Sequence, residues 1–220
     1  TPSASSAASD VYKRQGVTGT NGKTSVVNFS QQLIEKKNNS CVTIGTLGVG
    51  GVLSLRTDNT TPDQSFIARI LQMAKLKGSD YALLEVSSHS IVQKRIKNLA
   101  FDVFCFTNLS QDHLDYHKDM ETYFHAKLSI LDMLSLDTTI IVNIDDEYGK
   151  IFLAKAKDKG FKIETIGLSD KADVRLRITK GTPDIQFIEI IRGKFFYAFQ
   201  THLIGAVSYT HLRAHETVLH

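Results

Sequence analysis

Apolar residues along this chain follow two rhythms that alternate. Short segments at 41–44, 81–86, 101–106, 138–142 and 161–166 predict strands, and those at 81–86 and 101–106 are nearly unbroken apolar runs, as suits a strand covered on both faces. Between them, apolar residues are spaced among polar ones as in a helix. The stretch 25–37 carries Val26, Val27, Leu33 and Ile34. The stretch 63–77 opens at Asp63, after Pro62, and ends near Gly78; 112–136 is mainly helical; 146–159 ends at Gly160. Aspartate before such a stretch caps free N–H groups, and glycine after it allows the chain to leave the helix. This succession predicts an α/β fold, a mostly parallel, doubly wound sheet. From 173 the rhythm changes. Val174, Leu176 and Ile178 alternate with polar residues, and Gly181 and Gly193 mark turns. That pattern predicts a small antiparallel β appendage at 173–203.

Composition narrows the picture without redirecting it. The 220 residues are 42% hydrophobic and 22% charged, with a net charge of +3. This is ordinary for a globular protein, and the charge is too small to argue for a nucleic-acid partner. Cys41 and Cys105 lie in apolar runs, as inert thiols of a reducing compartment do. No apolar run is long enough to span a membrane. A cytoplasmic protein, active as a monomer and without membrane or nucleic-acid partners, is expected.

Candidate chemistry begins where the first helix does. Gly16-Val17-Thr18-Gly19-Thr20-Asn21-Gly22-Lys23-Thr24 reads as a phosphate loop. In such a loop Gly19, Thr20, Asn21 and Gly22 would cradle phosphates with main-chain N–H groups. Lys23 would reach the outer phosphates, and the Thr24 hydroxyl could hold Mg²⁺. The helix that follows adds the positive end of its dipole. The strict pattern would put glycine at 17, where valine stands, so the loop is a variant; a plain glycine-rich turn is the competing reading.

Open α/β sheets bind ligands beyond the carboxyl ends of their strands. Glu85, Ser87, Ser88 and His89 follow one strand, and Thr107, Asn108, Asp112 and His113 follow the next. Thr57 to Pro62 forms a further polar turn containing Asn59, Thr60 and Thr61. Each has a plainer explanation: a solvated glutamate, a helix cap, first-turn charges. His113 and His117 have the spacing of a zinc pair, but no zincin pattern surrounds them. The functional reading rests on convergence at one sheet edge.

Several segments resemble the central domain of the Mur ligases. They are Gly-Thr-Asn-Gly-Lys-Thr at 19–24, Asn-Thr-Thr-Pro at 59–62, Glu-Val-Ser-Ser-His-Ser-Ile-Val-Gln-Lys-Arg at 85–95, Phe-Thr-Asn-Leu-Ser-Gln-Asp-His-Leu-Asp-Tyr-His at 106–117, and Asn143-Ile-Asp-Asp146. The resemblance runs from Gly16 to about Ala206. It implies an ATP-dependent amide ligase of peptidoglycan precursor synthesis. The Asn-Thr-Thr and Ser-Ser-His segments favour the members that add the third stem-peptide residue, joining a diamino acid to a UDP-muramoyl dipeptide. The resemblance also implies roles. Lys23 and the loop, with Asn143, would bind ATP. Thr24 and Glu85 would hold one Mg²⁺, with His113 near a second. Lys127 would carry a carbamate, an anionic ligand in place of a repelling ammonium. Asn59, Thr60, Thr61, Ser87, Gln93 and Arg95 would contact the UDP-sugar dipeptide.

The two ends read differently. Residues 1–15, opening in a Ser/Ala tract, and 207–220, containing His211, His215 and His220, resemble adaptor-derived sequence. They are expected to be foreign, which would cut the strand before the loop down to 16–18. The family also implies an N-terminal domain for the UDP moiety and a C-terminal domain that selects the amino acid. This polypeptide alone is therefore not expected to ligate. The alternatives are another ligase with the same loop, of the folylpolyglutamate or cyanophycin synthetase type, or a non-catalytic nucleotide-binding module.

Overall fold

A computed structural model describes residues 13–112, 114–182 and 185–201. In chain order the first half comprises β1 (Lys13–Thr18), α1 (Lys23–Lys36), β2 (Cys41–Gly45), β3 (Gly48–Gly51), α2 (Gln64–Leu76), β4 (Tyr81–Glu85), α3 (Ser88–Val92) and β5 (Val103–Phe106). There follow α4 (Leu114–His117), α5 (Met120–Leu128) with a 3₁₀ turn (Ser129–Asp132), β6 (Thr139–Asn143), α6 (Glu147–Asp158) and β7 (Lys162–Gly167). The last strands are β8 (Val174–Thr182), β9 (Ile185–Arg192) and β10 (Phe195–Thr201). All ten form one sheet, ordered β10-β9-β8-β7-β6-β5-β1-β4-β2-β3. From β2 to β8 neighbouring strands are parallel; β3 at one edge and β9–β10 at the other run antiparallel.

The unbroken apolar runs are explained by burial on both faces. Leu83, Cys105 and Ile141 face α1 in a cluster with Val26, Val27 and Ile34. Their neighbours Ala82, Leu84, Phe104, Phe106, Ile140 and Val142 face the opposite way, against apolar residues of α2, α3, α5 and α6. The chain leaving β1 thus covers one face, while the chains leaving β4 and β5 cover the other. This is the arrangement that opens a crevice at the strand ends beside β1. Two helices begin where aspartate predicts. Asp63 accepts a bond from the Phe66 N–H, and Asp146 accepts one from the Gly149 N–H.

Four details differ from the sequence expectations. β1 starts at Lys13, not at 16: Arg14 and Gln15 lie in the middle of the sheet, paired with Ala82 and Leu83 of β4. β3, the run Gly-Val-Gly-Gly, carries no strand signal, yet glycine is what its neighbours allow. A Cβ at Gly51 would lie 2.0 Å from the Cys41 carbonyl oxygen. The helical stretch 112–136 is interrupted. Lys118 has φ 67, and Asp119 caps a new helix by accepting from the Thr122 N–H. The antiparallel strands at the end of the chain pair as expected, β8 with β9 and β9 with β10, and they extend the main sheet because β8 joins β7 in parallel register at Ile166–Val174 and Gly167–Arg175. Gly181 lies within β8 rather than at a turn, while Gly193, with φ 55, does turn the chain from β9 into β10. The expected tail, 207–220, lies outside the described residues.

Candidate active site

Four strands, β5, β1, β4 and β2, deliver their carboxyl ends side by side. The loop after β1 is held onto β5. The Asn21 N–H donates to Asn108 Oδ1 at 3.0 Å, and the Thr107 hydroxyl donates to the Asn21 carbonyl at 2.7 Å. A Cβ at Gly19 would lie 1.9 Å from Thr107 Oγ1, and Gly22 has φ 86, so both positions demand glycine. The loop ends directly in α1, which begins at Lys23. The helix axis therefore points its free N–H groups at the crevice.

Glu85 closes the opposite wall. It is 1% exposed, and such burial of a carboxylate requires donors. Three are present. Thr24 Oγ1 donates to Oε2 at 2.9 Å, Thr46 Oγ1 to Oε2 at 3.0 Å, and the Thr46 N–H to Oε1 at 3.0 Å. Between the loop and Glu85 lies a polar cavity of about 260 Å³, which Lys23, Thr60, Ser87 and Lys127 also line.

Two lysines converge on the loop. Lys23 Nζ donates to the Gly19 and Thr20 carbonyls at 3.0 and 2.8 Å. Lys127 Nζ, on α5, donates to the same Gly19 oxygen at 2.8 Å and lies 4.8 Å from the centre of the Tyr123 ring. Burial pushes the Lys127 ammonium well below the ordinary lysine range, and repulsion from Lys23 lowers it further; nearby Asp112 opposes both. Burial also lowers Lys23, against the attraction of Glu85 and Asp112. Lys127 is 1% exposed, quite unlike the surface lysine its sequence position alone suggests.

The other expected residues sort by position. Thr20, Asn21, Gly22, Lys23, Thr24, Thr60, Glu85, Ser87 and Lys127 line the cavity. Thr61 is buried beneath it, donating to the Glu85 carbonyl at 2.8 Å, and Arg95 Nη1 donates to the Thr61 carbonyl at 2.7 Å. These two brace the polar turn from behind. Asn143 Nδ2 donates to the Thr107 carbonyl at 2.9 Å and so supports the segment that holds the loop. Asn59 and Gln93 are exposed and do not line the cavity. His113 lies outside the described residues. Cys41 and Cys105 are buried thiols, each pushed up to about 12 by burial.

Two contributors escape the sequence reading. Tyr123 lines the cavity and shares a hydrogen bond of 3.2 Å with Thr20. Thr46 follows β2, so the rule of strand carboxyl ends could have found it; its bond to Glu85 could not have been read from spacing.

The donors suit a magnesium nucleotide. Among the described residues no group of three or more His, Cys, Asp and Glu gathers as a metal cage. Magnesium needs no such cage, since it keeps waters and takes phosphate oxygens alongside one or two protein ligands. Thr24 Oγ1 and Glu85 Oε2 are two oxygens at the phosphate end of the loop.

Fold and site together define an α/β phosphate-loop domain with a buried carboxylate opposite the loop. The Mur ligase middle domain matches residues 17–210, and the chain belongs to that family. A UDP-N-acetylmuramoyl-L-alanyl-D-glutamate–2,6-diaminopimelate ligase of Buchnera aphidicola subsp. Schizaphis graminum (strain Sg) is 45% identical over 145 residues, covering 66% of this chain and 29% of the relative. The same-named ligase of Pseudomonas aeruginosa is 39% identical over 158 residues, covering 71% of this chain and 32% of the relative. A solved ligase of that name superposes with a TM-score of 0.82 at 27% identity, over 94% of this chain and 42% of that one. The apo form of L. casei FPGS shares the fold, with a TM-score of 0.70 at 13% identity over 98% of this chain and 60% of that one. The chain spans roughly 30% of the length of the curated relatives it matches. No helix among the described residues is long and apolar enough to cross a membrane.

Proposed function

We propose that this chain supplies the ATP site of a cytoplasmic, monomeric ligase that adds a diamino acid to UDP-N-acetylmuramoyl-L-alanyl-D-glutamate. The observation that carries the reading is the meeting of Thr24 and Glu85 at 2.9 Å, across a cavity bordered by Lys23 and Lys127. The relatives name 2,6-diaminopimelate as the amine, and we carry that amine over.

A carboxylate resists attack by an amine because its charge is delocalised and oxide is a poor leaving group. Transfer of the ATP γ-phosphoryl to a carboxylate oxygen of the D-glutamate residue, with ADP leaving, gives an acyl phosphate. The amine attacks its carbonyl carbon, the C–O bond to phosphate breaks, and loss of the amine proton leaves the amide. The protein's part is to bring two anions together and hold them in line. Loop N–H groups and the Lys23 ammonium offset phosphate charge. Thr24 and Glu85 would hold Mg²⁺, which would supply charge neutralisation for the phosphates. Thr60 and Ser87 line the cavity, where an acceptor could be oriented; Thr61 and Arg95 act on it through the turn they brace, and Asn59 and Gln93, outside this cavity, would contact the UDP-sugar part. Asn143 keeps the nucleotide side in place through Thr107, and His113 would lie near a second Mg²⁺.

Lys127 fits a carbamate for a reason of acid–base chemistry. Only a neutral amine adds to CO₂, and burial favours the neutral form of Lys127. The product is an anionic oxygen ligand in a site that disfavours a bare ammonium.

Calorimetric titration of the chain with Mg·ATP tests the reading. Lys23→Ala should weaken binding at least tenfold, about 1.4 kcal/mol. In a full-length ligase carrying this domain, Lys127→Arg keeps the positive charge but forms no carbamate. Ligation should then fall by orders of magnitude; near-normal ligation would refute the carbamate.

A further inference from the structure

Thr46 belongs to none of the segments that resemble the family, yet it makes two of the three side-chain bonds to Glu85. Its main-chain N–H takes Oε1 at 3.0 Å, and its hydroxyl takes Oε2 at 3.0 Å. The hydroxyl also lies 3.2 Å from Thr60 Oγ1. A hydroxyl has one hydrogen. Since Thr46 spends its hydrogen on Glu85, the contact with Thr60 has Thr60 as donor. The order is therefore Thr60 to Thr46 to Glu85. Gly45 completes the seat, because a Cβ there would fall 2.2 Å from Glu85 Oε1.

The two carboxylate oxygens are consequently unequal. Oε1 is pinned by a main-chain donor. Oε2 is shared with the hydroxyl of Thr24, on the helix that opens at the phosphate loop. We infer that Thr46 is a positioning residue: it fixes the Glu85 carboxylate with Oε2 toward the cation and ties it to the acceptor-side turn through Thr60. This inference rests on the reading of Thr24 and Glu85 as a Mg²⁺ site. Partners that orient a ligating carboxylate typically govern metal affinity by 10- to 100-fold.

The test is a Mg²⁺ titration at fixed ATP, with nucleotide binding by the whole chain read by calorimetry. Thr46→Val keeps the N–H but removes the hydroxyl, so the Mg²⁺ concentration for half-saturation should rise about tenfold, the low end of that range. Thr46→Ser should restore it to within about twofold. Thr60→Val should shift it in the same direction by less, since the Thr46 hydroxyl still reaches Glu85. In a Glu85→Gln background, Thr46→Val should add nothing, because Thr46 acts only through that carboxylate. Thermal melting of each variant checks that it is folded. A folded Thr46→Val with the wild-type Mg²⁺ requirement, while Glu85→Gln is impaired, overturns the role of Thr46 alone. A Glu85→Gln chain with the wild-type Mg²⁺ requirement overturns the metal site and this inference with it.

Discussion

Lys127 concentrates most of the site's physical tension. Its ammonium is buried beside a second lysine, and a single carbonyl oxygen, that of Gly19, accepts from both. Burial holds its pKa below the value it has in the unfolded chain. Between the folded value and about 10.4, the unfolded chain binds the extra proton. Stability of the wild type should therefore rise with pH across that window, with the full penalty felt below it. Lys127→Met removes the proton and retains most of the volume. In CO₂-free buffer its stability advantage over wild type should be greatest at neutral or lower pH and shrink as pH climbs toward about 10. Urea unfolding at several pH values measures this. A pH-independent difference would mean that the amine titrates normally. At this scale the sequence marks the loop residues as candidates by type and spacing and Glu85 through the resemblance, and the structure brings them to one cavity. The sequence could not show the burial of Lys127 or the grip of Thr46, which exist only once distant segments meet.

At the scale of elements, legibility followed local codes. Helices α2 and α6 were readable because aspartate caps and terminal glycines write their ends into the chain. The central strands were readable because burial on both faces leaves only apolar residues. β3 was not, since its glycines answer a close approach by Cys41 rather than a strand preference. The break at Lys118 was missed because apolar spacing continues through it. β1 is the reverse case: Lys13, Arg14 and Gln15 look wrong for a central strand, yet all three pair with β4, Gln15 pairs with β5 as well, and the Asp102 N–H donates to the Arg14 carbonyl. The mismatch has a cost. Arg14 Nε and Gln15 Nε2 are buried without a hydrogen-bond partner among the described residues. An unsatisfied buried donor costs about 1–3 kcal/mol. Gln15→Val, which suits a strand, should therefore stabilise the chain by about 1 kcal/mol. For a domain of this size that is a rise of roughly 2–4 °C in Tm, read by calorimetry. A lower Tm would show that the amide is satisfied in solution.

On the scale of the whole molecule, one sheet carries two tasks. The strands β5, β1, β4 and β2 present the site, whereas β8, β9 and β10 extend the sheet away from it. The backbone join between these parts is narrow: among the described residues β7 and β8 share the pairs Ile166–Val174 and Gly167–Arg175 alone. Two polar clasps reinforce it: Asp173 accepts from the N–H and hydroxyl of Thr165 at 2.8 and 2.7 Å, and Arg192 pairs with Glu164 at 2.7 Å. Apolar residues from both sides share one core cluster across this seam, so the short ladder is where a partial opening is expected to begin. In native-state hydrogen exchange, the amides of β8 to β10 should exchange together through a partial opening that leaves the phosphate loop intact. Those of β1, β4, β5 and β6 should wait for global unfolding. Uniform protection across all ten strands would show that the seam holds as firmly as the centre. A domain built this way would loosen its far edge while the phosphate loop stays in place.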